Sequence, residues 1–293
     1  MTGLVNSELL KLRTVRTWWT ALGGMAVAAL LMALWNSWQA STFLQPFDDY
    51  LAGAILTPRE EMSAEQVESM RRLWETNGDV GHVASTVYTS GQALGLLLAG
   101  VVAVLLVTNE YHYRTLTATF LVTPRRGRVI AAKLIAAVIA SLGLWLVSTV
   151  VGLAVGSAFL ASRDVGVQLT DPGVLSAILL NGVAYVVWGV FGFGLGVLVR
   201  SQTVATVTAT ALYFLTSVVV AFAFQVIHEL VIEQDWVLQA QVAIPGVASQ
   251  IMTTSGELFP GAPPQWSGAL VLVAYGLIAG LAGAAILHRR DVA

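Results

Sequence analysis

Cysteine is absent from all 293 residues, so disulfides, thiolate metal sites and a cysteine nucleophile are excluded. Histidine stands only at His82, His112, His228 and His288, none with a second ligand at the spacing of a zinc or di-iron site. No metal is expected. Charge is scarce too, at 11% against 56% hydrophobic residues, far from the average of soluble domains. The hydrolase signatures G-x-S-x-G and H-E-x-x-H are missing, and so is the G-x-x-x-x-G-K loop that cradles nucleotide phosphates. The chain therefore has no P-loop with which to bind and split ATP. Its net charge of -2 implies no nucleic-acid partner.

What it does have is long apolar stretches, at about 18–38, 91–108, 134–160, 174–199, 204–227 and 267–287. Each holds the ~20 residues a helix needs to cross ~30 Å of hydrocarbon. None contains Asp, Glu, Lys, Arg or Pro. Ion-coupled secondary transport generally needs ionisable groups or broken helices near mid-membrane, so that class ranks low, as does an ion channel. The first stretch is too long for a signal h-region and is read as a retained span. Its pairs Trp18–Trp19 and Trp35/Trp38 suit the two interfaces.

Charge is sorted between alternate connections. Lys11, Arg13, Arg16, Arg114, Arg125, Arg126, Arg128, Lys133, Arg200, Arg289 and Arg290 share one side with only Glu8, Glu110 and Asp291. On the other side acids outnumber Arg59, Arg71, Arg72 and Arg163. Basic flanks stay cytoplasmic, which predicts both termini inside and an even number of spans. The expected architecture is an all-α integral membrane protein of six transmembrane helices, one permease-sized domain over 1–293, with 39–90 and 228–266 external.

Residues 1–17 place Val5, Leu9, Leu12 and Val15 at steps of three and four, the pattern of an interfacial helix lying on anionic headgroups. In the first external connection Thr57–Glu60 and Ser63–Gln66 both offer helix starts, and Val67, Met70 and Trp74 then share a stripe. Trp236–Ile244 and Val247–Met252, split by Pro245-Gly246, are too short to cross and suit re-entrant or interfacial helices. Gly152/Gly156, Gly192/Gly196 and Gly276/Gly280 are small-xxx-small pairs that favour close helix packing. Thr206, Thr210 and Ser217 fall near one face, with Tyr213 and Phe214 beside them and Gln92 opening the second span. Two readings of this set stay open: helix packing, with threonines bonded to their own helix, or an uncharged substrate pathway for amphipathic or apolar cargo.

The segment from Glu110 to Lys133 is the most specific. Glu110 ends the second span, followed by Arg114, Thr115, Leu116 and Leu121, then Pro124, Arg125, Arg126 and Lys133. This order resembles the intracellular loop of type-2 ABC transporter permeases, and Glu8, Lys11, Arg13 and Arg16 resemble that family's elbow helix. One departure is Arg114, where the family often has glycine. The resemblance implies a cytoplasmic coupling helix within 115–121 that seats on an ATPase. Glu110, Arg114, Thr115, Leu116, Leu121, Pro124, Arg125 and Arg126 would then be the coupling residues. It implies an exporter with two copies of a soluble ABC ATPase holding ATP and Mg, a second permease copy as a homodimer, and efflux of a drug, lipid or peptide. Near the membrane boundary Glu110 needs a cation, and Arg114, or a base of the elbow helix such as Arg13 or Arg16, is the expected partner. Only Lys11 and Lys133 are lysines among fifteen basic residues, in keeping with the plasma membrane of a GC-rich prokaryote. The rival reading is a membrane regulatory or immunity subunit that moves nothing.

Overall fold

A computed structural model describes residues 2–54, 62–113, 126–199, 201–215, 219, 221–230, 235–256, 258–259 and 261–289. No strand occurs among them. The chain opens with α1 (Thr2–Thr14) and α2 (Arg16–Phe43), separated by one extended residue, Val15. The backbone N–H of Val15 still bonds Lys11 O, and Trp19 Nε1 donates to Arg13 O at 2.9 Å, which holds the corner.

After α3 (Phe47–Ala54) comes α4 (Ala64–Gly78), started by a full capping box between Ser63 and Gln66. The other expected helix start, Thr57–Glu60, lies outside the described residues. Val67, Met70 and Trp74 are the half-buried stripe of α4. Trp74 Nε1 reaches Gln45 O at 3.0 Å and its ring meets Phe47, so α4 is laid against the chain that follows α2.

Helices α5 (Val80–Tyr88) and α6 (Gln92–His112) form a nearly continuous apolar run, followed by α7 (Arg126–Ser162) and α8 (Pro172–Leu198). Asp171 caps α8 by accepting from the N–H groups of Gly173 and Val174, with Pro172 pre-set at the first helical position. Then come α9 (Gln202–Phe214), α10 (Ala221–Leu230), α11 (Asp235–Ala240), α12 (Pro245–Thr253) and α13 (Gln265–Arg289).

Four stretches, Arg16–Phe43, Val80–Tyr111, Gly127–Ser162 and Pro172–Leu198, are long and apolar enough to cross a bilayer. Gln265–Ala279 is a shorter apolar helix. The expected span at 204–227 falls across α9 and α10, and that at 267–287 lies within α13. The helix that holds the expected third span, 134–160, begins earlier, at Arg126, because 126–133 lacks a helix breaker beyond Gly127 and simply extends it. Leu31 and Leu34 of α2, Leu146 and Val150 of α7, and Leu277 and Leu281 of α13 all point outward. So large an exposed apolar surface is what a multi-pass membrane protein presents to lipid.

The centre of the bundle is α6 against α8, flanked by α7 and α13. Small residues explain the closeness. A Cβ on Gly192 would stand 2.1 Å from Gly100 O, and one on Gly152 would stand 2.5 Å from Tyr88 O. Without a hydrophobic drive between helices in lipid, such backbone approaches are a main source of packing energy. Helix α12 is sunk almost wholly into the bundle, against α13 and α8, its Val247, Ala248, Ile251 and Met252 all buried. The two short segments around Pro245 are thus helical, and the second is a core element.

Candidate functional site

Four charged side chains meet where α1 crosses the ends of α6 and α7. Glu8 sits on the buried face of α1, Glu110 in the last turn of α6, and Lys133 two turns into α7. Lys133 Nζ lies 2.8 Å from Glu8 Oε2 and 2.6 Å from Glu110 Oε1. Lys11 Nζ lies 2.7 Å from Glu8 Oε1 and 2.8 Å from Glu110 Oε1. Each ammonium therefore bridges both carboxylates, and the cluster is electrically neutral. Glu8, Glu110 and Lys133 are buried, whereas the Lys11 side chain is half exposed. Burial disfavours the Lys11 ammonium, but its hydrogen bonds to Glu110 and Glu8 outweigh this and hold its pKa above the ordinary lysine value.

The partners of Glu110 correct the expectation of Arg13 or Arg16. Glu8 and Lys11 are three residues apart and share a face of α1, while Arg13, two further along, is turned some 200° from Lys11 and is exposed, as is Arg16. Arg114, the third expected partner, lies outside the described residues, as do Thr115, Leu116, Leu121, Pro124 and Arg125. Arg126 begins α7, and Arg128 beside it is exposed. The first turn of α7 carries no acid, so its arginines stand against the positive end of the helix dipole.

The two lysines were present in the sequence as a signal. They are the chain's only lysines, on the side that holds just three acids, and two of those acids are their partners. Lysine suits this place because its compact ammonium can sit between two carboxylates, where the wider guanidinium fork would need more room.

The second set of expected residues divides. Gln92 is buried and spent on structure: its Nε2 donates to Ser249 O at 2.6 Å, and its Oε1 accepts from Thr253 Oγ1 at 2.6 Å. Trp188 Nε1 adds a bond to Ser249 Oγ at 3.0 Å. These bonds fasten α12 to α6 and α8. Replacing Gln92 by Leu removes the two hydrogen bonds that tie α6 to α12 and is expected to cost about 1–3 kcal/mol. A thermal midpoint of the purified protein that did not fall would show that α12 is held without them. Tyr213 is buried, bonds Ala93 O and stacks edge-on to Trp188. Thr206 Oγ1 is buried with no hydrogen-bond partner, Thr210 is half-buried and Phe214 is exposed. Ser217 lies outside the described residues.

A helical bundle with a lipid-facing apolar surface, tied by a neutral charge cluster to an N-terminal helix and with a basic connecting sequence between two apolar helices, is a multi-pass membrane subunit. The family model described as ABC-2 family transporter protein matches residues 13–292, and the chain belongs to that family. It is thus a membrane permease subunit of an ABC transporter, a class that associates with an ABC ATPase. Glu8 and Lys11 precede the matched segment. No curated protein matches the chain.

Proposed function

We propose that this chain is the membrane half of an ATP-driven exporter that moves an amphipathic or hydrophobic cargo out of the cytoplasm or inner leaflet. ATP and Mg would be held by two copies of a separate ATPase, and a second copy of the permease would complete the pathway. Both termini and the connection at 114–125 then face the cytoplasm of a prokaryotic cell, as the sorting of basic residues supports.

The observation that carries this reading is the bridged cluster of Glu8, Lys11, Glu110 and Lys133. It joins α1 to the two helices that flank the connection at 114–125. A push delivered to that connection by ATPase closure would travel through the cluster into α6, α7 and the bundle centre. Arg125, Arg126 and Arg128 would pair with acidic groups of the ATPase or with anionic lipid, which attracts juxtamembrane arginines. Thr206, with its unbonded hydroxyl, and Thr210 are the residues of α9 proposed to meet cargo.

Glu110→Ala is expected to uncouple the complex: the ATPase still binds, but cargo no longer stimulates ATP turnover and export is lost. Unchanged transport and turnover in this variant would remove the coupling role. A chain that co-purifies with no ATPase would favour the regulatory reading instead. A photocrosslinker at Thr206 or Thr210 should label cargo during turnover, and consistent failure there would move the pathway elsewhere.

A further inference from the structure

A cleft of about 440 Å³ opens between α1 and α6 beside the charge cluster, within the range of small-molecule sites. Most of its wall is apolar, with Leu12, Trp18, Leu105 and Leu106, while Lys11, Glu8 and Glu110 close its polar end. The charges at that end are layered. The Lys11 side chain is 50% exposed, whereas those of Glu8, Glu110 and Lys133 are 6%, 8% and 6% exposed. Glu110 Oε2, which has no donor, is buried away from solvent, so the acid offers the cleft no acceptor. What the polar end presents is the ammonium of Lys11, kept charged by the acids behind it. An ammonium has three N–H donors. Two of them go to Glu8 Oε1 at 2.7 Å and Glu110 Oε1 at 2.8 Å, which leaves the third for an acceptor in the cleft.

We propose that this cleft holds one acidic phospholipid of the bilayer surface on which α1 lies: a phosphodiester oxygen of its head accepts the third N–H of Lys11, and one acyl chain lies along Leu12, Trp18, Leu105 and Leu106. A lipid is the occupant because cation and apolar wall adjoin at headgroup depth. Leu10 and Val15 of α1 are exposed apolar residues beside the basic ones, as on a helix lying in the interface. An ammonium bonded to a phosphate makes a charge-assisted hydrogen bond. A choline head carries its own cation to the same place, and most of the attraction is then cancelled. The site needs only that α1 lies at a bilayer surface, and not any direction of transport or any one cargo.

The test uses the full chain in phosphatidylcholine nanodiscs with a trace of phosphatidylglycerol or phosphatidylcholine doxyl-labelled on one acyl chain, followed by electron paramagnetic resonance. A motionally restricted component that favours phosphatidylglycerol roughly fivefold is expected, the worth of one cation at the membrane surface. Lys11→Met should bring the two labels level. Leu105→Trp fills the apolar wall without touching a charge and should do the same, which keeps the test decisive even if Lys11→Met fails to fold. Arg13→Gln removes an exposed charge of α1 that does not line the cleft, and should leave the preference in place. Equal restriction of the two labels in the unaltered chain would overturn the proposal. So would a preference that survives Leu105→Trp or is lost in Arg13→Gln, since either marks diffuse attraction to a basic surface. Neither ATP turnover nor cargo enters this measurement, so the lipid site and the exporter stand or fall separately.

Discussion

Lys133→Met is expected to lower the stability of the purified permease by about 3–5 kcal/mol, the usual consequence of leaving a buried charge unpaired. Lys133 is buried and bridges Glu8 and Glu110. Without it two carboxylates share Lys11 alone, which is half exposed and better screened. Lys11→Met should therefore cost clearly less, since water can partly replace its ammonium. Adding Glu8→Gln to Lys133→Met removes the surplus negative charge and should recover part of the loss, leaving the Lys11–Glu110 pair neutral. Denaturation midpoints of the four proteins in one detergent would check this. If the double variant fell below Lys133→Met, charge imbalance would not be the cause.

The second large effect is expected at Gly192. Its Cβ position lies 2.1 Å from Gly100 O and 2.7 Å from Gly100 Cα, and backbone cannot rotate away as a side chain can. Gly192→Ala must push α6 and α8 apart along the most extensive helix contact in the bundle. Overpacking of this kind typically costs 1–3 kcal/mol and, against backbone, about 3 kcal/mol or more is expected. Gly276→Ala is the control. Its Cβ would meet a side-chain methyl of Val187 at 3.2 Å, which can yield, so a change within about 0.5 kcal/mol is expected. Comparable losses at the two positions would mean that small size matters along all these helices, and not backbone contact at one crossing.

Some of the molecule was legible residue by residue. The capping box at Ser63 was visible because its bonds are local, made within one helical turn. The inward stripe of Val67, Met70 and Trp74 was visible because helical period alone places those residues on one face. The break between α11 and α12 followed from Pro245. The family was legible in the order of Glu110, Pro124, the arginines and Lys133, and the match over 13–292 bears it out.

Other features were not legible, for one shared reason. Glu110 needed a cation, and the sequence offered several within reach on the same side; only the crossing of α1 over α6 and α7 selected Lys11 and Lys133. Gln92 looked like a pathway residue because it begins an apolar span, yet Ser249 and Thr253, distant in sequence, consume its amide. Helix α12 was legible as a short re-entrant or interfacial helix, and only tertiary packing shows that it is buried in the bundle.

Composition and charge order by themselves determined that this chain is helical and membrane-embedded, because lipid leaves the backbone few alternatives and rewards unbroken apolar runs; the permease family was legible only as a resemblance in the segment from Glu110 to Lys133. Which lysine meets which carboxylate, which glycine touches which backbone, and which oxygen of Glu110 stays without a donor were decided only by how the helices cross. Those contacts join residues far apart in the chain, and their geometry is set by the packed bundle as a whole.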